Sequence, residues 1–287
     1  MKRLFVILSF VGLFFCFMPE VSAQEFFDNE TTTTDGLYDK NATGVREPEP
    51  FPYVREADVM WKKTIWREID FRQKMNQGFY FPTEPHKDYK NIYTILTEAL
   101  KDPTSGVVAY EDSPTGELLE QTTWETIEKN ITEEKEGTRM GASGYEETYT
   151  YKEVLSPKDV KRLQIKEEWY FDKQKSELLV RIIAICPIKV EIDDNGEQQL
   201  SRLFWVPYNE NLRKILVNAP FFNRSNSAAH LSYDDVFCKR IFDSYIIRED
   251  NIFDRNIGQY AKGVDALKES ERIKQEIIDF EQSLWEY

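Results

Sequence analysis

The sequence predicts an α+β protein in which an antiparallel sheet is flanked by helices, with a long N-terminal helix and a C-terminal helix. Apolar residues recur every three or four positions near both ends of the chain, whereas residues 145–206 show alternation and short apolar runs. Asp194-Asn195-Gly196 separates two of those runs, and Asn-Gly accepts the positive φ of a hairpin turn. The 287-residue chain is 41% hydrophobic, which is enough for a packed core.

The first 23 residues have the layout of a cleavable export signal. Lys2-Arg3 precedes an apolar run at residues 4–18, and the small residues Val21-Ser22-Ala23 precede the expected cleavage site. We therefore expect the mature chain to begin at Gln24 and to lie in the periplasm. An uncleaved anchor is the alternative, but a span takes about 20 apolar residues. Cys16 follows two phenylalanines where a lipidation signal needs small residues, so no lipid is expected.

Residues 24–50 predict a flexible tether, because they contain turn formers and little apolar material. Residues 51–287 are then predicted to form the α+β domain. Its first element is a helix over residues 55–75, since Ala57, Trp61, Ile65 and Ile69 recur every four positions. A second helix is predicted at 90–100. A flexible insertion follows at about 104–145, with a short strand at 107–110 and a short helix at 124–131.

The sheet is predicted between residues 145 and 206. Strands are expected at 145–151, 165–171, 178–186, 188–192 and, returning antiparallel, 203–206. Residues 178–186 are nearly all apolar, which is typical of a central strand covered on both faces. Ser156-Pro157-Lys158-Asp159 is interpreted as a helix start, with Ser as the cap and Pro in the first turn.

The C-terminal third is predicted to be helical. A short helix is expected at 212–217, and a longer one begins at the cap Ser232 and ends near residue 247. The last helix covers about 264–287. Its apolar positions follow a 4-3-4-3 spacing over only two heptads, which favours docking on the protein's own body over pairing with a partner helix: Ile273, Ile277, Phe280, Leu284 and Tyr287.

No motif in the chain predicts catalysis, a cofactor or a metal. The net charge of −14 opposes binding to nucleic acid. The sequence has neither a His-Glu-x-x-His nor a Gly-x-Ser-x-Gly motif, and only two histidines, His86 and His230. His230 with the acids after Ser232 could hold a metal, but helix capping explains the same spacing. The adjacent acids are interpreted as solvated surface, because strand neighbours point to opposite faces: Glu146-Glu147, Glu167-Glu168 and Asp193-Asp194.

Aromatic and charged residues cluster in the predicted first helix and just before it. Such residues dominate protein interfaces, so we interpret the following group as a candidate protein-binding surface: Tyr53, Arg55, Asp58, Trp61, Trp66 and Arg67. The alternative for each tryptophan is a place in the core. Cys186 and Cys238 could form a disulfide in an oxidising compartment or remain free thiols, since sequence does not give their separation.

Several long segments resemble the GldN/PorN family. They are Pro50-Phe51-Pro52-Tyr53-Val54-Arg55-Glu56-Ala57-Asp58-Val59-Met60-Trp61, Ile65-Trp66-Arg67, Ile69-Asp70, Lys74-Met75-Asn76, Tyr80-Phe81-Pro82, Ser232-Tyr233-Asp234-Asp235-Val236-Phe237, Lys239-Arg240, Ser244-Tyr245-Ile246 and Leu284-Trp285-Glu286-Tyr287. Together these segments bracket nearly the whole chain from residue 50 onward.

The resemblance implies a non-enzymatic periplasmic subunit of the type IX secretion system, which exports proteins across the outer membrane and supports gliding motility. It implies a multimeric ring with an outer-membrane lipoprotein of the GldK/PorK type, and communication with a GldL/GldM-type inner-membrane motor. The protein would associate peripherally with the outer membrane, without a membrane span of its own. A periplasmic hydrolase using His230 and nearby acids, or a small-ligand binding module, are the alternatives.

Overall fold

The fold combines one large antiparallel sheet with helices and three small hairpins. The computed structural model describes residues 46–284, apart from 114–115, 141–145, 194–195, 197, 225 and 227–229. Its strands are β1 (Val59–Asp70), β2 (Ala109–Tyr110), β3 (Gln121–Thr122), β4 (Thr132–Met140), β5 (Glu146–Val154), β6 (Val160–Asp172), β7 (Glu177–Ile192), β8 (Gln198–Arg202), β9 (Val206–Pro207), β10 (Pro220–Phe221), β11 (Leu231–Ser232) and β12 (Tyr245–Glu249). Its α-helices are α1 (Gln77–Tyr80), α2 (Ile92–Lys101), α3 (Trp124–Ile131), α4 (Glu210–Asn218), α5 (Tyr233–Cys238) and α6 (Val264–Ser283).

The main sheet has the strand order β12-β1-β6-β7-β8, and β9 also pairs with β7. All of its pairings are antiparallel, as the sequence predicted. Strand β7 continues through Pro187, and Gly196, with a φ of +79°, lies in the connection to β8. The returning strand is β8 at 198–202, earlier than the predicted 203–206. The middle of the sheet is β6, while β7 is buried over 184–188 and half-buried over 178–181.

The long N-terminal helix predicted over residues 55–75 is wrong, because residues 59–70 form strand β1. This strand pairs with β6 along its length and with β12 at its end. Trp61, Ile65 and Ile69 still share one face, since a spacing of four is also a multiple of the strand period of two. The side chain of Trp66 points to the opposite face, where it is also buried.

Most helices pack against the face of the sheet that carries Ile65 and Ile69. The larger core contains Ile69 with apolar residues of α2, α3, α4 and α5. Asn91 caps α2 by accepting a hydrogen bond from the Thr94 amide, and α4 has the same arrangement at its own start. Both helices match their predicted positions closely.

Helix α1 fits tightly into this core through Gly78. A Cβ added to Gly78 would lie 2.3 Å from the Phe221 ring, so only glycine allows that approach. Tyr233 donates a hydrogen bond to the Gly78 carbonyl at 3.1 Å. The first turn of α5 is thereby joined to α1.

Helix α5 starts where the sequence predicted and ends much earlier than residue 247. Ser232 and Asp235 form a reciprocal capping box. Arg240 adopts a φ of +53°, and the chain then enters strand β12. Burial opposes ionisation of Asp235, but hydrogen bonds from Lys239 and Ser232 lower its pKa to about 2.

The segment predicted to start a helix at residue 156 forms a turn instead. The Asp159 amide donates to the Ser156 carbonyl at 3.0 Å, and β6 begins at the next residue. Proline at the second position of a four-residue turn has the φ that such a turn requires. The predicted insertion at 104–145 contains β2, β3, α3 and β4, and β4 pairs with β5 as a separate hairpin.

Helix α6 covers the remaining part of the same sheet face. Ile273 and Ile277 are buried in a second core with Ile65 and Ile246, and Phe280 stacks on Trp61 at a ring distance of 4.6 Å. The apolar seam therefore docks on the protein's own body, as predicted, for the part of it that the structure describes. Among the described residues, no helix combines the length and the apolar character that a bilayer-crossing segment needs.

Candidate protein-binding surface

Residues 46–54, which we call the strap, lie along the domain before β1. Arg46 and Asn218 exchange two hydrogen bonds through the Arg46 backbone, at 2.9 and 3.0 Å. Arg213 donates to the Glu49 carbonyl at 2.6 Å, and Arg181 donates to the Pro52 carbonyl at 2.9 Å. Residues 46–50 of the predicted tether are therefore held on the domain. The rest of that tether, and the predicted export signal, lie outside the described residues.

A buried charged group supports the strap from below. Arg213 makes two hydrogen bonds to Asp234, at 2.9 and 3.0 Å, and Tyr208 donates a third to the same carboxylate at 2.5 Å. Burial raises the pKa of Tyr208, and the adjacent Asp234 carboxylate raises it further. The Phe51 ring lies against the Arg213 guanidinium at 4.2 Å. The strap thus rests on a rigid, paired cation.

The predicted interface residues divide into exposed and buried sets. Tyr53 at the end of the strap is 87% exposed. Arg55 is exposed and pairs with the half-buried Asp58 at 2.7 Å. Trp61 is half-buried beneath the Phe280 ring. Of these, Tyr53 is the large apolar side chain that stays open to a partner.

Trp66 and Arg67 belong to the protein's own interior. Trp66 is only 4% exposed and packs with Ala184, Cys186 and Trp205 on the sheet face opposite the helices. The loop at Gly116 covers it, because a Cβ added to that glycine would lie 2.9 Å from the indole nitrogen. In this structure Trp66 therefore occupies a place in the core, which the sequence left open as the alternative to an interface.

Arg67 is buried in a charged group centred on Glu167. It donates from Nε to the Glu167 carboxylate at 3.1 Å, and Arg240 donates two further hydrogen bonds at 2.9 and 3.2 Å. The Trp169 indole donates a fourth at 3.1 Å. Burial lowers the pKa of Arg67, although the attraction of Glu167 opposes this effect. Arg67, a candidate interface residue, is thus buried in this structure, and Glu167, expected on the surface, is fully buried.

A second exposed surface was not predicted from the sequence. Five large apolar side chains between residues 252 and 267 are more than two-fifths exposed, and we call them the apolar loop surface: Ile252 at 99%, Phe253 at 72%, Tyr260, Val264 and Leu267. The adjacent pair Ile252-Phe253 between polar residues is the sequence signal that could have indicated it.

The loop that carries Ile252 and Phe253 has a defined conformation. The Asn251 side chain donates to the Glu249 and Arg255 carbonyls at 2.9 and 3.0 Å and accepts from the Phe253 amide at 3.1 Å. Arg255 lies between the Phe253 and Tyr260 rings, at 4.7 and 4.9 Å from their centres. These contacts fix the loop in a conformation that leaves the apolar side chains exposed to water. Their exposure does not stabilise the isolated chain.

The residues considered for chemistry lie apart. His86 and His230 are both exposed, and no group of three or more metal-ligating side chains occurs in the part of the chain that the structure describes. Cys186 is buried and Cys238 is exposed, and both are free thiols. The disulfide alternative is therefore wrong for this structure, and the free-thiol alternative is correct.

Comparison with known families identifies the chain. A profile of the family described as "Gliding motility associated protein GldN" matches residues 54–286. The chain belongs to the GldN family. It is therefore a component associated with gliding motility and type IX secretion. No curated protein matches the chain.

Proposed function

We propose that this GldN-family protein is a non-enzymatic structural subunit of the periplasmic ring of the type IX secretion system. In this proposal it associates peripherally with the outer membrane through a GldK/PorK-type lipoprotein and communicates with a GldL/GldM-type motor. Export of proteins across the outer membrane, and gliding where the host glides, depend on that ring. The domain is taken as residues 51–287, with a cleaved signal at 1–23 and a tether ending at the strap.

The apolar loop surface is the observation that carries the proposal. Ile252 and Phe253 are adjacent and largely exposed, in a loop whose backbone is fixed by Asn251, and exposed apolar side chains grouped in this way support a contact with another protein. Large apolar side chains of this kind contribute most of the binding energy when a partner buries them. Tyr53 on the strap is a second exposed aromatic of the same kind.

The test compares single exposed phenylalanines in the host cell. Phe253→Ser should reduce co-sedimentation with the lipoprotein by about tenfold or more, because losing a buried hot-spot residue costs about 2 kcal/mol or more of binding energy. Phe222→Ser is the matched control, since Phe222 is also more than half exposed but lies outside the apolar loop surface. Tyr53→Ala tests the strap without removing the backbone contacts of residues 46–52.

Thermal melting of the same variants separates binding from folding. All three side chains are largely exposed, so each variant should melt within about 2 °C of the wild type. A Phe253→Ser protein that melts normally and sediments fully with the lipoprotein would contradict this assignment of the surface.

A further inference from the structure

A pocket of about 420 Å³ opens between the end of β1, the start of β6 and helix α1. This volume lies in the range of about 300–1,000 Å³ that is usual for ligand sites, and it is far too small for a folded partner. Its lining combines three cationic side chains with three aromatic rings: Arg72, Lys161, Arg162, Phe71, Tyr80 and Phe81.

The charged side chains that line the pocket are all cationic, in a chain whose net charge is −14. Arg72 is paired with Asp70 and Arg162 with Glu68, and neither carboxylate lines the pocket. Lys161 has no ion-pair partner among the described residues. An entering anion would therefore meet an unpaired ammonium group and would find no carboxylate in the lining to repel it.

The three aromatic residues form an apolar part of the pocket lining that is partly exposed to solvent. Phe81 is 53% exposed, and its ring meets the Tyr80 ring edge to face at 4.8 Å. The Tyr80 hydroxyl donates to the Lys158 carbonyl at 3.2 Å, which fixes the ring. Phe71 is buried, and its ring lies 6.4 Å from the Tyr80 ring. An apolar side chain placed against Phe81 would cover surface that is now in contact with water.

We propose that this pocket binds the C-terminal residue of an extended polypeptide. The terminal carboxylate would pair with Lys161 and with the Nη1 group of Arg72, since Nε and Nη2 of Arg72 already donate to Asp70, while its apolar side chain would pack on Phe81 and Tyr80. Both groups branch from one Cα atom, which matches a small pocket whose lining contains cationic and aromatic side chains together. The inference rests on the pocket lining alone, so its test uses the purified protein and does not depend on ring assembly.

The experiment measures calorimetric binding of acetyl-Ala-Ala-Phe as the free acid and as the C-terminal amide. The free acid should bind about tenfold more tightly, because it adds a charge-assisted contact. Lys161→Gln should remove most of that difference. Lys158→Gln is the matched control, since Lys158 is a neighbouring exposed lysine that does not line the pocket. Phe81→Ala should weaken acetyl-Ala-Ala-Phe more than acetyl-Ala-Ala-Ala.

Four results would overturn the proposal. Equal affinity for acid and amide, or no binding at millimolar peptide, would show that the pocket does not recognise a terminal carboxylate. Equal losses of peptide affinity in Lys161→Gln and Lys158→Gln would show that binding depends only on general surface charge. An amidated peptide with an internal glutamate that binds as tightly as the free acid would place the recognised carboxylate on a side chain.

Discussion

Removing the charge of Glu167 should be among the most damaging single changes in this protein. The carboxylate is fully buried and accepts four hydrogen bonds from Arg67, Arg240 and Trp169. Glu167→Gln keeps the size of the side chain but leaves the buried Arg67 guanidinium without its counter-ion. Breaking a buried pair in this way costs about 3–5 kcal/mol of unfolding free energy. In a domain of this size the melting temperature should fall by about 6–20 °C.

The neighbouring acid provides the control. Glu168 lies on the opposite face of β6 and pairs with Lys62, which is half exposed, so Glu168→Gln should cost at most about 1 kcal/mol. The double variant Glu167→Met with Arg67→Met should recover part of the loss, since apolar replacements of a buried pair are often tolerated. Urea unfolding of all three measures these differences. If Glu167→Gln and Glu168→Gln lose the same stability, the reasoning about the buried charge is refuted.

Three other predictions test the packing, the helix cap and the thiols. Gly78→Ala should lower the free energy of unfolding by about 1–3 kcal/mol through overpacking. Gly258→Ala is the control and should melt like the wild type, because its added Cβ meets nothing within 4 Å. Equal melting temperatures of the two variants would contradict this prediction. The pKa of Asp235 is about 2 in the folded protein and near 4 in the unfolded chain, so its ionisation should contribute about 2 kcal/mol to the free energy of unfolding. This contribution should be lost as the pH falls from 4 to 2. Denaturation measured over this pH range should show that Asp235→Asn lacks this part of the acid sensitivity. An alkylating reagent should label Cys238 in the native protein and Cys186 only after unfolding, and peptide mass spectrometry that found a disulfide-linked pair would contradict the structure.

The mistake at β1 has a physical cause that the sequence could not resolve. Trp61, Ile65 and Ile69 recur every four residues, and this spacing places them on one side of a helix and equally on one side of a strand. Strand alternation was hidden because charged residues occupy core-facing positions. Arg67 is one of them, and it is stable there only through its pairing with Glu167. Such pairing is a tertiary contact across 100 residues, which local pattern does not reveal.

Local signals, in contrast, predicted local structure well. The Ser232 cap, the hairpin after β7 and the helices α2, α4 and α6 depend on interactions within a few residues, and each begins close to its predicted position. Local signals left the place of Trp66 open between core and interface, because its burial depends on a distant loop at Gly116. Tyr53 was proposed from composition and remains a candidate because it is exposed, whereas the apolar loop surface needed the side-chain exposures of the folded chain.

We propose that this protein works as a subunit of a ring and not as a free enzyme or ligand carrier. The most direct measurement is purification of the affinity-tagged protein from gently solubilised host membranes, followed by sedimentation and protein identification. A ring subunit should be recovered in a very large particle that contains an outer-membrane lipoprotein in a fixed ratio to this chain. Recovery of the protein only as a monomer or dimer, with no lipoprotein attached, would contradict it.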